Sequence, residues 1–287
     1  MEERTAGGSP SGGGRTGRNL PAAIAVGVGL GALVIASLYT VKELFLVVVV
    51  AAVGVGVVEM TQAFASRGIR VPVVPVLVSM AAMQAGAYWG GPVWLLGVFV
   101  VSVFVLLIWR MFTGGDGEGE GGRTAGYVRD ATGSAFLLVY PPLLAGFVAL
   151  LLAPGDGRDR VIVFIAVTVA SDIGGYIAGV LFGKHQLTVI SPKKTWEGLA
   201  GSVVACTVVG AWLVTWLFDG RLWQGALIGA LAALLATVGD LIESMIKRDL
   251  GIKDLGTILP GHGGLMDRLD SLVTTLVPVW LLMTVFF

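Results

Sequence analysis

Charge is what this sequence has least of. Asp, Glu, Lys and Arg make up 13% of its 287 residues, where a soluble domain carries roughly 25%. With 55% apolar residues and a mean hydropathy of +0.87, that shortage excludes an ordinary soluble chain and points to an integral membrane protein. Net charge is missing too. The 19 cations and 19 carboxylates cancel, so there is no polycationic footprint and no nucleic-acid partner is expected. Cysteine is almost absent. Cys206 stands alone in an apolar run, which excludes an internal disulfide and reads as a small buried residue. Residues 1–19 lack apolar periodicity altogether and read as a disordered tail.

What the chain has instead is long apolar runs. A run of about 20 such residues crosses a bilayer as a helix. Runs of this kind cover 20–40, 44–65, 71–88, 92–112, 131–153, 160–182, 198–218, 222–246 and 271–287. The expected fold is therefore all-α and polytopic, with about nine transmembrane helices. Cations set the orientation, because they are retained on the cytoplasmic side. With the N-terminus inside, Lys42, Arg158, Arg160 and Arg221 fall outside and the other fifteen of the 19 fall inside. The arrangement is N-in and C-out. The glycine-rich segment 113–130 reads as a flexible cytoplasmic linker between N-terminal helices, 20–112, and a C-terminal transmembrane domain, 131–287.

One stretch near the C-terminus is out of character with this apolar background. From Ser244 to Asp270 it carries Lys247, Arg248, Lys253 and Arg268 among Asp249, Asp254, Asp267 and Asp270. The cations suit a polyanion. The carboxylates are hard oxygen donors that suit Mg²⁺ rather than a soft metal. Pro260-Gly261-His262-Gly263-Gly264 cannot be regular helix, and its glycines allow backbone N–H groups close to an anion. Together these features fit a metal-bound phosphate substrate. Asp240, Ser244 and Lys247 share one helical face.

Further polar groups lie where a bilayer disfavours them. Glu59 is late in the second span, a site for a partnered or a snorkelling carboxylate. Ser171-Asp172-Ile173-Gly174-Gly175-Tyr176 interrupts the sixth span and suggests a helix weakened to line a cavity. The run Ser191-Pro192-Lys193-Lys194-Thr195-Trp196-Glu197-Gly198 opens the seventh, where lysines beside a helix N-terminus suit phosphate. Trp196 either stacks on a base or sits in the interfacial aromatic belt. His185 reads as structural or interfacial rather than as a base.

The stretch from Ser244 to Asp270 resembles the signature of the phosphatidate cytidylyltransferases, the CDP-diacylglycerol synthases: Ser, two residues, Lys-Arg, four residues, Lys-Asp, a spacer, then His-Gly-Gly, two residues, Asp-Arg, one residue, Asp. Each fixed position is met. The runs at 171–176 and 191–198 resemble two further elements of that family, with Gly175 where alanine is usual, a departure expected to loosen packing. The resemblance covers about residues 165–272 closely. It implies the reaction of CTP with phosphatidic acid to give CDP-diacylglycerol and pyrophosphate. It implies catalytic roles for Asp240, Lys247, Arg248 and Asp267, with Asp240 and Asp267 as ligands of Mg²⁺ or Mn²⁺. A monovalent cation such as K⁺ fits beside them. Substrate contacts are implied for Asp172, Ser191, Lys194, Thr195, Ser244, Lys253, His262, Gly263, Gly264 and Arg268. The expected partners are CTP, phosphatidic acid and the bilayer of the inner (plasma) membrane, with the site facing the cytoplasm; a homodimer is compatible with this reading. Two other readings stay open at this point. One is a related lipid nucleotidyl- or phosphoryl-transferase, such as a CDP-archaeol synthase or a polyprenol kinase. The other is an ion-coupled transporter, although polar groups gathered at one face favour an interfacial enzyme over a midplane site.

Overall fold

Long apolar runs have one open-chain solution in a bilayer. Every backbone N–H and C=O must be bonded within its own segment, which only a helix achieves. The computed structural model describes residues 20–113, 126–256 and 263–287, which form helices joined by loops. In chain order they form α1 (Leu20–Thr40), α2 (Lys42–Ala65), α3 (Val73–Gly90), α4 (Pro92–Phe112) and α5 (Tyr127–Leu138). A π-helical turn (Val139–Leu143) then leads into α6 (Leu144–Leu152), α7 (Gly157–Phe182), α8 (Trp196–Phe218), α9 (Leu222–Leu250) and α10 (Met266–Phe286). Counting α5 to α6 as one, eight helices among the described residues are long and apolar enough to span a membrane. The chain is a multi-pass membrane protein. Among the described residues there is no strand, only an isolated bridge between Gln186 and Thr195.

Local sequence explains the irregularities. Pro141 and Pro142 lack the N–H that would close the helical ladder, and the fifth span passes through the π turn there. α9 has 29 residues, a length of about 43 Å at 1.5 Å per residue, against about 30 Å of hydrocarbon. The helix is thus longer than a span requires, and its last turns carry Glu243, Lys247 and Arg248. α7 is continuous through Asp172, contrary to the expected interruption. Its glycines let α8 come close instead: a Cβ on Gly174 would stand 2.7 Å from the Gly201 carbonyl oxygen. Small residues serve helix contact in membranes because no water-driven force pulls helices together. α8 and α9 meet in the same way through Gly210, Gly225 and Gly229, the last against the Cys206 carbonyl.

Contacts between the loops sort them into two sets at opposite ends of the bundle. At one end the Lys42 ammonium donates to the carbonyls of Leu152, Pro154 and Gly155, and the Arg160 guanidinium donates to the Met283 carbonyl. At the other end the Arg67 guanidinium reaches the Leu250 carbonyl, and Asp130 accepts from the Arg70 backbone and from Arg110. The alternation expected from the cations is thus present as geometry. Asp130 is buried between Arg110, at 2.7 Å, and Arg129, at 3.2 Å. The segment expected as a linker therefore already includes helix from Tyr127; its residues 114–125 and the tail 1–19 lie outside the described residues.

The N-terminal helices pack directly against the C-terminal ones. Gly56 of α2 lies against Met266 of α10, where a Cβ would stand 3.1 Å from Met266 Sδ. Met60, Met80, Met83, Leu151, Met266 and Met283 are fully buried side chains drawn from both halves.

Candidate active site

The site is built from the ends of α7, α8, α9 and α10. The connection from α7 to α8 is tied down by its own backbone. Leu187 N–H donates to the Lys194 carbonyl at 2.8 Å and Trp196 N–H to the His185 carbonyl at 3.0 Å. Thr195 then caps α8, its Oγ1 accepting from Gly198 N–H at 3.1 Å. His185 Nδ1 pairs with Glu197 Oε1 at 2.6 Å, which holds this histidine in a structural role within the loop. With the loop so fixed, the Lys194 ammonium lies on Oδ2 of Asp240 in α9.

This pair borders a cleft that is also lined by Asp172, Gly175, Thr195 and Ser202. Gly175 has a physical reason. A Cβ there would stand 2.5 Å from Ser202 Oγ, and that hydroxyl is already committed, donating to the Ser171 carbonyl at 2.7 Å. The serine fills the space, so the expected loosening of packing does not occur.

A second pair lies where α9 meets α10. The Lys247 ammonium donates to Asp267 Oδ1 at 2.8 Å and to Glu243 Oε2 at 3.0 Å. Asp267 Oδ2 accepts from Gly264 N–H at 2.9 Å and from Leu255 N–H at 3.1 Å. Asp267 stands in the first turn of α10, where the helix dipole favours an anion. Gly263 makes the turn into that helix at a φ of 83°, a left-handed value that only glycine adopts cheaply.

The two pairs belong to one polar cluster. Asp240 is within electrostatic range of Asp172 and Asp270, and Arg268 is within range of Asp172. Glu243 contacts Asp270, and its Oε1 has no hydrogen-bond partner. Asp172, Lys194, Thr195, Asp240, Lys247, Gly264, Asp267 and Arg268 are thereby brought to one end of the bundle. Arg248 and Lys253 are exposed at its margin, and Ser244 is half-buried on α9. Ser191 meets Lys194 through its backbone, the carbonyl accepting at 3.0 Å. His262 lies outside the described residues.

Sequence reasoning gave no role to Glu243, which joins the cluster through Lys247, and left the partner of Glu59 open. Glu243 and Lys247 stand at i, i+4, a spacing that signals a helical ion pair. Glu59 Oε1 and Oε2 accept from the N–H groups of Leu265 and Met266 at 3.1 and 2.9 Å, across the join between the two halves of the chain. No local pattern could have found that pairing. The glycines of the loop do bring backbone close to an anion, as expected, but the anions there are the protein's own carboxylates, Glu59 and Asp267.

Among the described residues no three His, Cys, Asp or Glu side chains converge as a self-sufficient metal cage. The donors present are carboxylates, and each of Asp240 and Asp267 already has a cation beside it. Such a set fits Mg²⁺, which commonly takes one or two protein carboxylates and completes its shell with water and substrate phosphate.

The model of the cytidylyltransferase family matches residues 21–286. The phosphatidate cytidylyltransferase of Mycobacterium leprae is 41% identical over 278 residues, covering 94% of this chain and 89% of its own length. The enzyme of that name from Mycobacterium bovis is 40% identical over 279 residues, covering 94% and 90%. The one from Helicobacter pylori is 43% identical over 136 residues, covering 47% of this chain and 50% of its own length.

Proposed function

The chain belongs to the cytidylyltransferase family, and from that premise we propose that it is a phosphatidate cytidylyltransferase of phospholipid biosynthesis. It joins CTP to phosphatidic acid and releases CDP-diacylglycerol and pyrophosphate. The observation that carries this reading is the pairing of two lysines with two aspartates, Lys194 with Asp240 and Lys247 with Asp267, in one cluster at the end of a membrane bundle.

A phosphate oxygen of the lipid attacks the α-phosphorus of CTP. The bond from that phosphorus to the oxygen bridging it to the β-phosphorus breaks, and pyrophosphate carries those electrons away. Phosphatidate is already ionised, so no strong base is needed. Positioning and charge neutralisation remain as the tasks of the protein. Lys194 is held by Asp240 until phosphate oxygens arrive, and then shares its N–H groups with them as a charge-assisted donor, while Lys247 stays on Asp267 and Glu243 and lends its positive charge to the phosphates. Arg248, Lys253 and Arg268 surround the same cluster and suit the polyphosphate. A divalent cation, Mg²⁺ or Mn²⁺, would be held by Asp240 and Asp267 and would neutralise phosphate charge. The apolar helices let the lipid react without leaving the bilayer.

Purified protein given a panel of nucleotides and anionic lipids should form CDP-lipid from CTP and phosphatidic acid. Turnover with another lipid or nucleotide alone would overturn the assignment. The plasma membrane, with the cluster on the cytoplasmic face, accommodates the excess of cations at that end and the location of CTP. A membrane-impermeant thiol reagent added to intact cells should label a cysteine at Gly155 and miss one at Lys193. The opposite pattern would reverse the orientation.

A further inference from the structure

α10 has no cap of its own. Its N-cap position is Leu265, whose side chain cannot accept a hydrogen bond, yet the first N–H groups of any helix lack intrahelical acceptors. Glu59 supplies the missing acceptor from α2. It is 1% exposed, and its carboxylate takes the N–H groups of Leu265 and Met266. At the other flank of the same loop, α9 ends in Gly251 with φ 69°, and Ile252 N–H closes back onto the Lys247 carbonyl at 2.9 Å. The Leu250 carbonyl points to Arg67, just beyond α2, whose Nε donates to it at 2.9 Å. An anion thus sits at one helix N-terminus and a cation at the other's C-terminus, each the favourable sign for the helix dipole.

The loop sequence has left room for this. A Cβ on Gly256 would run into the Glu59 carboxylate, and one on Gly264 would stand 2.8 Å from Glu59 Oε2. Gly264 is also the residue whose N–H holds Asp267. Asp267 is one residue from Met266, and Lys247 is three from Leu250. What fixes the two ends of the loop therefore also fixes the pair of side chains that face each other across it.

We propose that Glu59 and Arg67 are positioning residues: one segment of the N-terminal half clamps both ends of the α9–α10 connection and so sets Lys247 against Asp267. This rests on the reading of that pair as part of the reaction centre. Neither residue touches substrate; both act through the loop.

Hydrogen exchange and kinetics on the full protein in lipid nanodiscs test it. Glu59→Gln keeps the shape and replaces one acceptor with a donor. It should raise exchange at the Leu265 and Met266 amides while the middle of α10 keeps its protection. Its kcat per folded molecule should fall roughly 10- to 100-fold, the range seen when outer partners of a reaction-centre group are lost. Arg67→Met should show a milder loss of kcat, and Arg67→Lys should restore part of it. Glu43→Gln, which alters the contact with the Tyr88 hydroxyl near the start of α2, serves as the control with wild-type turnover. Unchanged exchange at 265 and 266 in Glu59→Gln overturns the clamp whatever the reaction is. If Glu59→Gln does not fold, wild-type kcat in Arg67→Met overturns it. Exchange raised along all of α10 with unchanged kcat per folded molecule would make Glu59 merely structural. A wild-type protein that forms no CDP-lipid overturns the functional reading instead, and the exchange data then judge the clamp alone.

Discussion

The two lysine–aspartate pairs of the cluster are alike in composition and unlike in construction. Lys194 and Asp240 face an open cleft, with 26% and 29% of their side chains exposed, and among the described residues each meets the other as its one hydrogen-bonded side-chain partner. Lys247 and Asp267 are at 19% and 8%, and Asp267 accepts two backbone N–H groups besides the lysine. One pair is held by a single contact and can exchange it for a ligand. The other is part of the scaffold, because removing any member leaves a buried donor or acceptor without a partner, at a cost of about 1–3 kcal/mol. Adjacent pairs of the same charge thus divide the work into capture and framework.

That division can be broken most severely at the aspartates. Asp240→Asn and Asp267→Asn should each nearly abolish turnover, since asparagine keeps the size and one oxygen but removes the charge. Excess chelator should do the same to the wild type. The two variants should then part company in stability. Asp267→Asn loses the charge that holds Lys247 and two N–H groups, so its melting temperature in detergent should drop. Asp240→Asn should melt as the wild type does. Equal melting temperatures would remove the distinction between the pairs, and near-normal turnover of either variant, or activity in chelator, would remove the aspartates from metal binding.

A smaller effect sharpens the same comparison. Lys194→Ala removes a charge-assisted contact worth roughly 1.5–3 kcal/mol. The KM for CTP should rise by about 10- to 150-fold with melting behaviour retained, because Asp240 stays open to solvent in the cleft. An unchanged dependence on CTP would make this lysine a topological anchor only.

Much of this molecule was legible along the chain. The spans were, because burying a polar backbone in lipid permits one local answer and apolar length reports it directly. The alternation of loops between two ends was legible in the distribution of cations, and the residues of the cluster stood out as polar groups in apolar surroundings. Boundaries were less so: α9 runs on to Leu250 and α10 begins at Met266, since a polar helical turn outside the hydrocarbon has no hydropathy to announce it. The continuity of α7 was not legible either. Glycines weaken an isolated helix, and only the neighbouring α8, pressed against Gly174, shows that they serve contact there.

By itself the sequence determined the fold class, the chemistry of the donors and the family, because each of these depends on residue type and spacing over a few turns. The tertiary structure alone decided which carboxylate meets which cation. Asp240 shares a helical face with Lys247 but stands two turns from it, so spacing named no partner for it; Lys194, arriving from the end of the α7–α8 loop, takes Asp240. Glu59 lies more than two hundred residues from the amides it caps. The physical reason is range. Propensity, hydropathy and helical periodicity act between neighbours in the chain, whereas a buried charge is satisfied by whatever packing brings within about 3 Å, and packing is a property of the whole bundle.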